Sequence, residues 1–181
     1  FALMGSSLFK SLFTHELPKV ALLNVGSEEI KGNDKIKNTY KKLSEIKNNN
    51  FEFKGYIEGN KIMDGDVNVI VTDGFTGNVA LKSIEGTASV IKHFIKSEFR
   101  KNIYNKFSSL VSFPVLNGVK EKMDPRVYNG ASFLGLNGIV VKSHGSADSF
   151  SYYNAIKTAY YESKNNLIDS IRQYTNRELN E

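Results

Sequence analysis

The chain has 181 residues, 40% of them hydrophobic and 24% charged, a composition in the range of one soluble globular domain. It contains no cysteine, which excludes disulfides, thiolate metal sites and a covalent acyl-cysteine intermediate within these residues. The net charge of +5 rests mainly on lysine, and with asparagine frequent throughout it matches an A·T-rich coding bias, so it carries no argument for nucleic acid as a partner.

Phe1-Ala2-Leu3-Met4 reads as an apolar helical stretch with no capping residue before it, so the natural start is expected elsewhere. No run approaches the roughly 20 apolar residues that a membrane span requires, and the first residues lack the order of a signal peptide. Val20-Ala21-Leu22-Leu23-Asn24-Val25-Gly26 follows Pro18 as a short buried strand. Residues 34–47 place Ile36, Tyr40, Leu43 and Ile46 at helical spacing, Asn48-Asn49-Asn50 predicts a turn, and residues 51–57 alternate as a strand does. Val67-Asn68-Val69-Ile70-Val71-Thr72 predicts another buried strand, followed by a long helix from about Val79 with Leu81, Ile84, Ala88, Ile91 and Ile95 on one face. Residues 101–122 break the pattern: apolar side chains, among them Phe107, Leu110, Val111 and Phe113, crowd between Lys101, Lys106, Lys120 and Lys122 and are interrupted by Pro114 and Gly118. A strand over residues 138–142 and a closing helical region with Tyr153, Ile156, Tyr160, Leu167, Ile168 and Ile171 complete the chain. Alternating strands and helices predict an α/β fold with a largely parallel sheet.

Three glycine-containing loops follow predicted strands and precede predicted helices. In a parallel sheet they open on one edge, where helix amino termini favour an anion over a cation. The first holds Lys31, Gly32 and Asn33: the lysine reads either as a phosphate contact or as a solvated turn residue, and Asn33 as a helix cap. The second is Asp73-Gly74-Phe75-Thr76-Gly77-Asn78, whose glycines permit positive φ or close backbone approach. Asn78 reads as an oxyanion donor or an ordinary cap, and Asp73 as a hydrogen-bonding turn residue. The third holds His144, Gly145 and Ser146, with Asp148 placed to cap the next helix. No dinucleotide or Walker-type motif occurs, and no histidine pair has the spacing of metal ligands, so neither cofactor nor metal is expected.

These blocks together resemble the bacterial phosphate acyltransferases of phospholipid synthesis. The resemblance is carried by Pro18-Lys19-Val20-Ala21-Leu22-Leu23-Asn24-Val25-Gly26 with Ile30-Lys31-Gly32-Asn33, and by Val69-Ile70-Val71-Thr72-Asp73-Gly74-Phe75-Thr76-Gly77-Asn78 with Glu85-Gly86. Tyr128-Asn129-Gly130-Ala131-Ser132-Phe133-Leu134-Gly135, running on to Lys142-Ser143-His144-Gly145-Ser146-Ala147-Asp148, is the third block. Two departures stand out: Asn129 where the family commonly has glycine, and Ser143 where it often has alanine.

The resemblance implies a three-layer α/β/α sandwich similar to isopropylmalate dehydrogenase, with residues 1–181 the carboxy-terminal portion of one catalytic domain. It implies attack of inorganic phosphate on the thioester of an acyl carrier protein, with Lys31 on the phosphate and Asn78 on the oxyanion or phosphate. Gly32, Asn33, Asp73, Gly74, Gly77, His144, Gly145 and Ser146 then line the substrate site, and the Gly77 and Asn78 amides assist at the helix start. It further implies a homodimer, and a cytoplasmic protein peripheral at the inner face of the cell membrane. Residues 101–122 are the element expected to touch membrane or a second subunit. A phosphotransacetylase acting on acyl-coenzyme A, a decarboxylating dehydrogenase using nicotinamide and a metal, and a non-catalytic membrane-binding fragment are the competing readings.

Overall fold

The computed structural model describes residues 1–13, 16–46 and 50–179, with only the backbone of 177–179. The expected turn at Asn48-Asn49-Asn50 lies outside them, save Asn50. Along the chain the helices and strands are α1 (Ala2–Leu12), β1 (Lys19–Asn24), α2 (Asp34–Glu45), β2 (Glu52–Glu58), β3 (Val69–Val71), α3 (Gly74–Arg100), α4 (Ile103–Val111), α5 (Phe113–Lys122), β4 (Ala131–Ser132), β5 (Val141–Lys142), α6 (Ser149–Lys164) and α7 (Leu167–Leu179). They fall into two compact units, Phe1–Thr72 with Tyr128–Glu181, and Asp73–Val127.

The first unit is built on a three-stranded sheet of order β2-β1-β3 in which both pairs are parallel. Successive side chains of a strand point to opposite faces. Val20 and Leu22 on one face of β1, and Ala21 and Leu23 on the other, are all buried. A strand covered on both faces reads as a continuous apolar run, which is why the sequence shows no alternation here. Val20 and Leu22 share one core cluster with Ala2 of α1, Leu43 of α2 and Phe51, and Tyr40, Phe53, Tyr56, Val69 and Val71 pack around it. Helices flanking a parallel sheet make this an α/β fold of the three-layer α/β/α kind.

The pairing of β1 with β2 slips between Val20↔Phe53 and Leu22↔Tyr56. The extra residue on β2 is absorbed at Gly55, whose φ of +78° favours glycine. The helix predicted over residues 34–47 forms as α2, and it buries Leu43 and sets Tyr40 edge-on to Phe53.

The strand expected at residues 138–142 shortens to β5 and pairs antiparallel with β4, in a separate two-stranded sheet. Residues 133–140 that join them are too few for a parallel crossover, which takes a dozen or more. The closing helical region divides into α6 and α7 at Asn165 and Asn166, the latter with φ of 52°. Leu167 and Ile171 are buried, whereas Tyr153, Ile156 and Tyr160 are exposed. The inward face of α6 carries Ser151, Ala155 and Glu162 instead, small or hydrogen-bonded side chains that allow close packing.

The second unit is entirely helical. Its first helix begins at Gly74 rather than near Val79, because Asp73 caps it by accepting the Thr76 N–H at 2.9 Å. Residues 101–122, expected to be irregular, form α4 and α5. Pro114 lies in the first turn of α5, where a missing N–H leaves no hydrogen bond unmade, and Gly118 is a tolerated interior glycine at about 1 kcal/mol relative to alanine. Asn102 caps α4 through the Asn105 N–H, and the Asn105 side chain returns a hydrogen bond to the Glu98 carbonyl, each at 2.8 Å. No residue from 73 to 127 is buried.

Candidate functional site

The turn after β1 is held from beneath by Asn24. This side chain is only 6% exposed, and its Nδ2 donates to the Lys31 carbonyl at 3.1 Å. Its Oδ1 is buried without a hydrogen-bond partner among the described residues. It lies where a Cβ on Gly32 would stand, 2.3 Å away, and Gly32 has φ of +90°. Both the space and the backbone angle therefore demand glycine. Asn33 follows in extended conformation and caps α2, accepting the Ile36 N–H at 2.9 Å.

Lys31 projects from this turn. Its Nζ pairs with Glu28 at 2.8 Å, and both side chains are about half exposed. The hydrogen bond from Lys31 holds the Glu28 carboxyl below its ordinary value. Glu28, first by hydrogen bond and then by charge, holds the Lys31 ammonium above its own, with Glu58 adding to it. Lys31 is thus fully charged at neutral pH, and its one ion-pair partner among the described residues is a solvated carboxylate. Exposed pairs of this kind are weak, so a competing anion can take the lysine over at little cost.

The Asp73–Asn78 stretch belongs to the other unit, and its arrangement corrects the sequence reading at several points. Asp73, not Asn78, is the helix cap. Gly74 and Gly77 are helical, and neither has positive φ. The Gly77 N–H is committed to the Asp73 carbonyl at 3.0 Å, which removes it as a donor to a ligand. What remains at Asn78 is its carboxamide, exposed and without a hydrogen bond among the described residues. The Thr76 hydroxyl also donates to Asp73, at 2.6 Å.

The third turn, after β5, does not share the edge of the parallel sheet. His144 is exposed, with its Nδ1 2.8 Å from Ser146 Oγ and accepting the Ser146 N–H at 3.2 Å. Gly145 is likewise exposed, and Asp148 caps α6 through the Ser151 N–H at 2.8 Å. Asn129 holds this turn at both ends. Its Oδ1 accepts the His144 N–H at 3.0 Å, and its Nδ2 donates to Ser143 Oγ at 2.8 Å and to the Ser151 carbonyl at 2.9 Å. Asn129 and Ser143 are therefore bonded to each other.

Sequence reasoning missed Asn24, Glu28 and Asn129 as parts of the site. The one visible signal was Asn24, a lone amide inside an apolar run. It also missed Glu162, a buried glutamate of α6 that accepts a hydrogen bond from the Ser132 hydroxyl. Burial pushes the Glu162 carboxyl upward, and the Ser132 bond acts in the opposite sense. Among the described residues no group of three His, Asp or Glu side chains is placed to hold a metal ion.

A family profile described as fatty acid synthesis protein matches residues 1–169. The chain is 55% identical over 172 residues to the phosphate acyltransferase of Pelagibacter ubique (strain HTCC1062), covering 95% of this chain and 52% of that protein. It is 51% identical over 162 residues to the phosphate acyltransferase of Methylococcus capsulatus (strain Bath), covering 90% of this chain and 47% of that protein. To the phosphate acyltransferase of Legionella pneumophila (strain Paris) it is 46% identical over all 181 residues, which make up 52% of that protein. The chain spans about half the length of the curated relatives it matches.

The Asp73 cap has a defined pH dependence. The Thr76 hydroxyl and then its N–H hold the Asp73 carboxyl below the ordinary value. A depressed carboxyl stabilises the folded form above the unfolded pKa, near 4, and that contribution is lost as pH falls through the lower folded value. Acidification below about pH 4 is expected to reduce protection of the Thr76 amide beyond the intrinsic change in exchange. Asp73→Asn, which keeps the acceptor without a titrating group, is expected to abolish that extra loss in an amide-exchange series.

Proposed function

The chain belongs to the fatty acid synthesis protein family, and on that premise we propose that it supplies part of an acyltransferase that joins an acyl group to inorganic phosphate. Residues 1–181 act as the carboxy-terminal portion of one catalytic domain. The acyl donor is the thioester of an acyl carrier protein, and the acyl phosphate product feeds phospholipid synthesis. The observation that carries this reading is Lys31: a charged ammonium on a turn fixed by Asn24, Gly32 and Asn33, released from a single weak partner when a stronger anion arrives.

Phosphate is a competent nucleophile, so the site's task is to position it and to stabilise the charge that it moves. A phosphate oxygen attacks the thioester carbon and forms the new C–O bond, while the carbonyl π electrons shift onto oxygen. Collapse of that intermediate restores the carbonyl and breaks the C–S bond. Sulfur leaves with the electron pair and takes a proton as the carrier's thiol. In this scheme Lys31 holds the phosphate and the Asn78 carboxamide donates to the developing oxyanion. Gly32 and Asn33 serve by fixing the Lys31 turn, Asp73 serves by capping the helix in which Gly74 and Gly77 precede Asn78, and His144, Gly145 and Ser146 complete the substrate side. No step uses an enzyme nucleophile, in keeping with a chain that has no cysteine.

Lys31→Ala and Asn78→Ala in the full-length enzyme are each expected to lower acyl phosphate formation by about a hundredfold, the effect of losing one oxyanion donor. Near-normal turnover in both would remove the assignment. Running the unmodified enzyme with acyl carrier protein and with coenzyme A thioesters separates this function from a phosphotransacetylase.

The helical pair α4–α5 is the proposed membrane contact. Ile103, Phe107, Leu110 and Val111 share one face of α4, with Phe107 68% and Leu110 72% exposed, and Phe113 follows at the start of α5. Lys101, Lys106, Lys120 and Lys122 lie around them in sequence, the combination that an anionic lipid surface attracts. Among the described residues no helix is long and apolar enough to cross a membrane. The contact proposed is peripheral and reversible, at the inner face. Phe107→Glu with Leu110→Glu in the full-length protein is expected to abolish sedimentation with anionic vesicles and leave the oligomeric state unchanged. Retained vesicle binding with loss of a homodimer would assign this face to the second subunit.

A further inference from the structure

The lysines around helix α2 fall into two groups. Lys31, on the turn before it, and Lys54, on β2 beside it, are each matched by a nearby carboxylate, Glu28 at 2.8 Å and Glu52 at 2.6 Å. Lys35, Lys37, Lys41 and Lys42 lie within the 12 residues of α2 itself, and none of them has an ion-pair partner among the described residues. The two carboxylates of the helix stand at its ends, Asp34 as the first residue and Glu45 as the last. Asp34 is favoured there by the partial positive charge of the helix amino terminus, and the lysines between the ends stay unneutralised.

The core fixes where these charges point. Leu43 is buried, and the Tyr40 ring packs against Phe53 and Tyr56 with centroids 5.5 and 4.7 Å away. Helical spacing then turns Lys41 and Lys42 to solvent and sets Lys35 and Lys37 on the flanks. Lys35, Lys41 and Lys42 are exposed, and Lys37 is half-buried. Lys37 and Lys41, four residues apart, carry like charge, a placement that disfavours an isolated helix. Here the opposite side of the helix is held in the core, so the repulsion persists as a fixed positive face.

Such a face complements an acidic surface. No large apolar side chain of α2 is exposed, because Ile36, Tyr40 and Leu43 are on the core side. A helix that lies in a lipid interface needs an apolar face to bury there, and in α2 that face is already engaged. Lysines on a rigid helix are point charges suited to separate carboxylates on a folded partner. The position of the helix points to which partner: only Gly32 and Asn33 separate Lys31 from the first residue of α2.

We propose that the lysine face of α2 is the docking surface for the acyl carrier protein, met by an acidic face of that carrier. This rests on the acyl phosphate reading above and gives the donor protein a place on the chain. Complementary charge of this kind governs encounter and affinity, and the chemical step stays with the Lys31 turn.

The test uses the full-length protein. Lys35→Glu with Lys41→Glu and Lys42→Glu is expected to weaken calorimetric binding of acyl carrier protein by about tenfold or more, and to raise KM for its thioester in parallel. The values of kcat, KM for phosphate and turnover of an uncharged pantetheine thioester are expected to stay within about twofold of wild type. Raising the salt concentration weakens binding to wild type and leaves that of the reversed variant nearly unchanged. The matching triple change to arginine keeps affinity for the carrier, and the triple change to glutamine falls between, which separates charge from damage to the fold. Unchanged carrier binding in the reversed and glutamine variants overturns the proposal. So does an equal loss with the pantetheine thioester, which marks a structural role, or loss of sedimentation with anionic vesicles while carrier binding is intact, which assigns the face to lipid. Carrier bound through α2 with no acyl phosphate formed removes the catalytic reading alone. Acyl phosphate formed with an unaltered KM for the carrier thioester in the reversed variant removes the docking surface alone.

Discussion

Burial of β1 on both faces is the constraint on which the rest of the first unit depends. Val20, Ala21, Leu22 and Leu23 all leave water, and the strand is hydrogen-bonded along both edges, to β2 and to β3. Its carboxyl end cannot shift without disturbing the core cluster that unites α1, α2 and the sheet. Asn24 passes this rigidity on to the Lys31 turn through its bond to the Lys31 carbonyl. The Oδ1 of the same side chain is buried without a hydrogen-bond partner among the described residues. It stands so close to Gly32, whose φ is +90°, that the turn calls for glycine there.

Asparagine side chains recur as clips across the molecule. Asn24 and Asn129 hold the Lys31 and His144 turns, while Asn33 and Asn102 cap α2 and α4. A carboxamide supplies a donor and an acceptor without a charge, so it can satisfy backbone groups inside a turn and still sit beside a lysine or an anion site without altering the local potential. Among the described residues the Lys31 ammonium has one ion-pair partner, the exposed carboxylate of Glu28.

Legibility in the sequence followed the range of the interactions concerned. The β1 run, the α2 face and the Asn33 cap depend on residues within a few positions of one another, and all three form, the strand ending at Asn24 and leaving Val25 exposed. The start of α3 was misplaced because Gly74 and Gly77 look like breakers, although the Asp73 cap lets both enter the helix. Pro114 misled in the same way: it opens α5 instead of ending a helix. The packed side of α6 was not visible in its aromatic residues, because it carries Ser151, Ala155 and the hydrogen-bonded Glu162, whose partner Ser132 lies thirty residues earlier in sequence. Asn129 was beyond reach for that reason as well, since its three partners lie fourteen to twenty-two residues away.

The central claim is direct transfer of an acyl group to phosphate. Full-length protein given acyl carrier protein thioester and phosphate labelled with ¹⁸O in every oxygen tests it by mass spectrometry of the products. The account predicts acyl phosphate that retains every labelled phosphate oxygen, an unlabelled carbonyl, and free carrier thiol in equal amount. Free fatty acid in place of acyl phosphate, or an acyl group left on the protein, would contradict it.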